Sequence, residues 1–289
     1  YQEILTDPSY SGQIVTMTYP EIGNTGINAD DAESRQVFAN GFLVHEVNDP
    51  SNWRSSRHLS AYLREQHVPA MAGLDTRALT AMLRERGTLK GYLCTSGEIQ
   101  PDDAVRKAQE WPGLDNQDYA CRVSAEEAYA WDRDGRLSRS WGVADDLPEP
   151  DLRIASLDYG IKWNILRRLR EQGMDVQVYP ARATAEDVLK DRPDGVFLSN
   201  GPADPAAITY AIETVRDLIG RVPLMGICLG HQLFGLALGA RTCRLKFGHH
   251  GCNHPVKDLA TGKVEITSQN HNFVVDPDTL DASRAEVSH

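Results

Sequence analysis

The stretch RVPLMGICLGHQLFGLALGA, Arg221 to Ala240, decides the architecture. Its apolar run from Val222 to Ile227 has the length of a buried strand, and an apolar helical run follows at once. Between the two stands Cys228, flanked by Gly226 and Gly230. G-x-C-x-G is the thiol counterpart of the G-x-S-x-G nucleophile elbow, in which small residues flank a tight strand-to-helix turn that pushes one side chain out over the sheet edge. A thiol at a helix N-terminus faces unpaired N–H groups and the positive dipole end, so its pKa is expected to fall from about 8.5 towards 7 or below. The Leu229 N–H points at the same spot and supplies half of an oxyanion hole, each such donor being worth roughly 3 kcal/mol. The plainer alternative is a small apolar cysteine packed into a strand–helix turn.

Working outward from the elbow, the upstream residues repeat one pattern. LRIASLDY, GIKWNILRRLREQG, MDVQVYP, TAEDVLKDRP and DGVFLSNGP, over 152–202, read as strand, helix, strand, helix and strand. Such alternation predicts a doubly wound, mainly parallel sheet with helices on both faces. Thr184 and Asp187 form a capping-box pattern, and Gly173 a helix stop. No G-x-G-x-x-G follows the first strand, so a dinucleotide site has little support. Ligands of open α/β sheets lie beyond the strand carboxyl ends, where both SNGPADP (199–205) and Cys228 fall. In SNGPADP, Gly201 permits close backbone approach and Pro202 stiffens the turn.

The first half reads as a separate, mixed α/β domain over 1–148, followed by a second domain over 152–289. SGQIVTMTYP and QVFANGFLVHEV are strand regions, HLSAYLREQH and DTRALTAMLRERG helices, LKGYLCTS a short strand, and PDDAVRKAQEW a helix opened by Pro101. RLSRSWGVADDLPEPD, 136–151, has no clear period and two prolines, which places the boundary at 148–151. His45, His58 and His67 are scattered and form no cluster.

Composition narrows the function. With 41 Asp+Glu against 30 Lys+Arg the net charge is -11, and no basic cluster marks a nucleic-acid surface. No apolar run approaches the roughly 20 residues of a membrane span and no signal segment opens the chain, so the expected compartment is the cytoplasm. The cysteines, Cys94, Cys121, Cys228, Cys243 and Cys252, number five and lie far apart, which argues for reduced thiols rather than a disulfide framework. His249, His250, Cys252 and His254 imitate a zinc site, but ligands crowded into so short a stretch do not easily form a tetrahedron, and no metal is expected.

GICLGHQL, LSNGPADP at 198–205 and SQNHNF at 268–273 together resemble the class I, triad-type glutamine amidotransferases. Residues 1–28 and KFGHHGCNHPVKD at 246–258 resemble one branch, the carbamoyl-phosphate synthase small (glutaminase) chains, and the likeness covers nearly the whole sequence. It implies a glutaminase, with Cys228 as nucleophile and the Gly201 and Leu229 amides as oxyanion hole. It implies that Ser9, Gln232, Asn270 and Phe273 hold L-glutamine together with Gly201 and Leu229. The family has glycine where this chain has Ala203 and Asn272, so a methyl group at 203 is expected to crowd the substrate or force a slightly different turn, and Asn272 is tolerable if its backbone is left-handed, a region that asparagine accepts better than most residues. The segment around 246–258 is implied to be a glycine-rich loop in which Cys252 replaces a glycine. A large synthetase chain is the implied partner, using ATP and a divalent metal to make carbamoyl phosphate for arginine and pyrimidine synthesis. No cofactor is implied for this chain.

A thiol nucleophile needs a base, and the base needs an orienting acid. His231 adjoins the elbow without being the family's base, His271 lies in the substrate loop, and His289 is terminal. The family's H-P-E segment is expected beyond residue 289. Both ends read as cut, the first residue being Tyr1 and the last segment, RAEVSH, a strand begun, so this polypeptide alone is expected to turn over little glutamine. Two other readings stay open, a different class I amidotransferase and a non-catalytic partner or glutamine-binding subunit.

Overall fold

The computed structural model describes residues 1–139 and 146–289. In the first half α1 (Gln2–Thr6) precedes β1 (Ile14–Thr16) and β2 (Gly41–Leu43). Helix α2 (Leu59–Glu65) then crosses to β3 (Ala70–Met71), and the three strands form an all-parallel sheet in the order β1-β2-β3. Leu5, Phe42, Val44, Leu59 and Leu63 fill its core. Helix α3 (Thr76–Arg86) starts where the Asp75 carboxylate accepts from Ala78 N and stops at Gly87, whose φ of 91° suits glycine. Helix α4 (Pro101–Glu110) opens on proline with Asp102 and Asp103 in its first turn. LKGYLCTS, expected to be a strand, is irregular: Lys90 Nζ donates to the Gln109 and Trp111 carbonyls at the end of α4, drawing the segment away from a ladder.

The short helices α5 (Ala120–Val123) and α6 (Arg136–Arg139) flank β4 (Tyr129–Ala130), and β4 pairs antiparallel with a strand of the second half. Residues 140–145, inside the stretch read as a linker, lie outside the described residues. The second half runs β5 (Leu152–Asp158), α7 (Trp163–Glu171), β6 (Met174–Pro180), α8 (Ala185–Leu189), β7 (Gly195–Leu198), α9 (Thr209–Leu218), β8 (Leu224–Gly226) and α10 (Leu229–Ala237). The sheet order is β4-β6-β5-β7-β8, parallel except at β4. Alternate strand residues face opposite ways, so Val176, Val178 and Phe197 pack with Leu166 of α7, whereas Leu157, Val196 and Leu198 pack with Val188, Val215 and Leu233 of α8, α9 and α10. Helices therefore cover both faces, as the alternation of the sequence implies. Strand order reverses on either side of β5, and the carboxyl ends of β5 and β7 form the crevice where such sheets bind ligands.

Beyond α10 the structure departs from the sequence reading. KFGHHGCNHPVKD, expected to be a glycine-rich loop, lies up to Lys257 in an antiparallel ribbon of β9 (Arg241–Lys257) and β10 (Val264–Asp276). The ribbon is exposed on much of both sides, Ile266 at 67%, so the apolar alternation that usually signals a strand is missing. Residues 284–289, read as a strand begun, are irregular.

Candidate active site

The elbow is built by close approach. A Cβ on Gly226 would lie 2.6 Å from Gly230 C, and one on Gly230 would collide with the Leu198 carbonyl of β7. Only glycines let α10 start this near the sheet. Cys228 itself holds φ 54° and ψ −110°, a conformation that costs a non-glycine residue of order 1–3 kcal/mol and recurs where geometry serves chemistry. On the opposite wall, a Cβ on Gly201 would collide with the Tyr159 carbonyl, so the turn after β7 presses against the end of β5.

The Gly201 and Leu229 N–H groups both bear on the Cys228 thiol and favour its ionised form. They do not win. Burial, reinforced by the Asp7 carboxylate, pushes the thiol up to about 12, which corrects the expectation of a pKa near 7. Helix-end and amide effects are legible in the sequence, whereas desolvation and a carboxylate arriving from residue 7 depend on tertiary packing. Asp7 is itself held above the ordinary carboxylate range by burial, against the pull of Lys162 and the Ser9 hydrogen bonds.

Ser9, Gly201, Ala203, Cys228, Gln232, Asn270, Asn272 and Phe273 line one cavity of about 30 Å³, and Leu229 is buried beside it. That volume holds roughly one water. The ribbon is latched by Gln232, whose Nε2 donates to the Phe273 carbonyl at 2.6 Å, and the Cys228 Sγ–H reaches the Asn270 carbonyl at 3.5 Å. The Asn270 side chain instead meets His250 Nδ1 at 2.9 Å. Ser9 arrives from the first half on a single turn capped by Asp7, whose carboxylate accepts from Ser9 N at 2.8 Å. Ser11, Gln13 and Leu114 also line the cavity, and the sequence carries no signal that would have selected them.

The two departures from the family pattern behave differently. Ala203 has φ 150°, a region that favours glycine, so its methyl group carries backbone strain. Asn272 does not use the left-handed region that would favour glycine there. It sits where the β9–β10 register shifts between His271 and Phe273, and the bulge accommodates it.

No imidazole among the described residues hydrogen-bonds the thiol. His271 Nδ1 donates to the Phe273 carbonyl at 2.8 Å, leaving Nε2 to accept from His249 Nδ1 at 3.3 Å, and desolvation draws His271 below its ordinary pKa. It is a neutral, committed ring. The His249 ring lies tilted beside His254 and edge-on to His271, with centroids 5.1 and 4.9 Å away, yet among the described residues no set of three His, Cys, Asp or Glu side chains has metal-ligating geometry. No helix among the described residues is long and apolar enough to cross a membrane.

Residues 155–289 match the family model described as "Glutamine amidotransferase class-I", and residues 1–93 that described as "Carbamoyl-phosphate synthase small chain, CPSase domain". The whole chain aligns with the carbamoyl phosphate synthase small chain of Ralstonia nicotianae at 50% identity and that of Bacillus caldolyticus at 51%, covering 76% and 74% of those proteins. The corresponding chain of Aquifex aeolicus is 48% identical over the full chain and 77% of its own length. With about half its residues shared along its entire length, and three quarters of each relative spanned, the chain belongs to the carbamoyl phosphate synthase small chain family.

Proposed function

We propose that this chain hydrolyses glutamine through Cys228 and delivers the ammonia to a large synthetase chain. The observation that carries the reading is the convergence of two backbone donors, Gly201 and Leu229, on a sulfur held at a strained strand–helix junction. The Cys228 thiolate adds to the glutamine carboxamide carbon, and the resulting oxyanion takes the two N–H bonds. Collapse breaks the carbon–nitrogen bond, and ammonia leaves once its nitrogen is protonated. Water then adds to the thioester, and glutamate leaves with the thiol restored. A thiol held near 12 needs a base to take its proton as glutamine arrives, and loss of the Asp7 charge from its surroundings would ease that transfer.

Ser9, Gln232, Asn270 and Asn272 supply polar groups for the amino-acid end of glutamine, Phe273 its apolar wall, and Ala203 the rim nearest the oxyanion turn. The chain carries no cofactor of its own. The large partner consumes ATP with a divalent metal and joins ammonia to bicarbonate, in a cytoplasmic heterodimer that serves arginine and pyrimidine biosynthesis. The test is isotope-resolved glutamine hydrolysis by the full-length protein paired with its large chain. Release of glutamate that disappears in Cys228→Ser supports the reading, and release that survives the substitution refutes it.

A further inference from the structure

Asn200, in the SNGPADP turn, is placed between the two halves of the chain. It is 5% exposed and immediately precedes Gly201. Its side-chain amide spans the two halves of the chain. Nδ2 donates to Ser9 Oγ at 3.0 Å and to the Gly160 carbonyl at 3.0 Å, and Oδ1 accepts from Lys162 N at 3.2 Å. Both amide hydrogens are therefore spent, one on each half. The backbone of the same turn is tied below: Ser199 Oγ donates to the Asn200 carbonyl at 2.7 Å and accepts from Tyr159 N at 2.9 Å, and Gly230 N donates to Ser199 O at 3.0 Å. One residue thus connects the turn that presents the Gly201 amide, the end of β5, and Ser9.

The donor sense matters. An amide N–H pointing at Ser9 Oγ fills an acceptor position of the hydroxyl, so the hydroxyl proton must turn elsewhere, towards Asp7 or the cavity that Ser9 lines. We propose that Asn200 is a positioning residue that locks Ser9 of the first half to the Gly201 side of the oxyanion hole, so that chemistry at Cys228 depends on how the first half is seated. The inference rests on the glutaminase reading and adds a residue to it. Asn200 is not among the residues that line the cavity. It acts through Ser9 and Gly201.

The isosteric variant Asn200→Asp isolates the donor role, because it keeps the volume and the acceptor to Lys162 N while removing both N–H groups and facing the Gly160 carbonyl with a second acceptor. In the full-length protein paired with its large chain, kcat and KM for glutamine are measured for wild type, Asn200→Asp, Ser9→Ala and the double variant. Asn200→Asp is expected to lower kcat/KM about 10- to 100-fold, the scale of a misplaced reacting group, and the double variant to be no worse than Asn200→Asp alone. Alkylation of Cys228 by iodoacetamide, which needs no oxyanion hole, is expected to stay at the wild-type rate in Asn200→Ser, which adds no carboxylate near the sulfur. Losses that multiply in the double variant, or an Asn200→Asp enzyme with wild-type kcat/KM, overturn the proposal. Should Asn200→Asp fail to fold, Asn200→Ser retains one donor in a smaller volume and is read against the same cycle. A wild-type protein that hydrolyses no glutamine overturns the glutaminase reading and this inference with it, whereas an active wild type with multiplying losses overturns this inference alone.

Discussion

The Glu33 carboxylate in the first half of the chain accepts from Asn164 N in the second at 2.9 Å, and so caps helix α7 from 131 residues away. Helix α7 has no side-chain cap of its own, Lys162 standing at the position. Glu33 is 1% exposed. It also accepts from Asn164 Nδ2 at 3.0 Å, and it faces Lys162 Nζ at 3.4 Å. A buried carboxylate at a helix N-terminus is stabilised by the free N–H groups there and by the dipole. Glu33→Ala leaves those donors and the Lys162 ammonium without it and is expected to cost about 3 kcal/mol in urea unfolding, with the two halves losing their cooperative transition first. A change below about 0.5 kcal/mol would show the contact to be incidental.

The elbow glycines are predicted to be intolerant of a single methyl group. Gly230→Ala drives Cβ into the Leu198 carbonyl, backbone that cannot rotate away, so the start of α10 must lift from β7. The expected loss is about 3 kcal/mol or more, with Cys228 reactivity changed at the same time. Gly220→Ala, which meets nothing within 4 Å, serves as the comparison, although its φ of 79° leaves it a backbone penalty. Thermal unfolding that ranks Gly230→Ala no worse than Gly220→Ala would contradict this packing.

Ala203 offers the reverse experiment. Its φ of 150° is strained for alanine, and glycine relieves that strain at the cost of greater freedom in the unfolded chain. Ala203→Gly is expected to stabilise the protein by about 1 kcal/mol. Chemical denaturation that shows a loss of stability would mean that the alanine methyl contributes more by packing than it costs in strain.

Thiol titration separates two cysteines. Cys94, half-buried on a loop, is lowered to about 7 by the Ser96 hydroxyl and by the N–H groups of Ser96, Gly97 and Glu98, whereas burial and Asp7 hold Cys228 at about 12. Mass-resolved iodoacetamide labelling of the ligand-free protein at pH 7 is expected to modify Cys94 well before Cys228. Asp7→Asn removes an anion that disfavours thiolate, so Cys228 labelling is expected to begin at lower pH in that variant. The raised Cys228 value also acts on stability: the unfolded thiol ionises near 8.5, so the contribution of this group to stability falls as pH rises from there towards 12. Equal labelling of both cysteines at pH 7 would contradict the assignment.

Local signals carried much of the second half into the sequence. The strand–helix alternation, the Thr184–Asp187 capping box and the glycines around Cys228 are short-range features, and the structure forms each of them. What stayed hidden were relations across long sequence separations. Glu33 caps a helix 131 residues away, and Asn200 bonds a serine 191 residues away, while both residue types have ordinary local readings as a charged loop residue and a turn former. The ribbon was missed because its polar, exposed residues lack the alternation of a half-buried strand, and the thiol shift because desolvation is a property of packing.

Active-site labelling by the chloroketone analogue of glutamine tests the central claim most directly. The full-length protein, paired with its large chain, is treated with the analogue with and without excess glutamine, and adducts are mapped by peptide mass. One adduct, on Cys228 and abolished by glutamine, is the predicted result. Labelling confined to Cys94 or spread over the exposed thiols Cys121, Cys243 and Cys252, with no protection by glutamine, would contradict the assignment of Cys228 as the nucleophile.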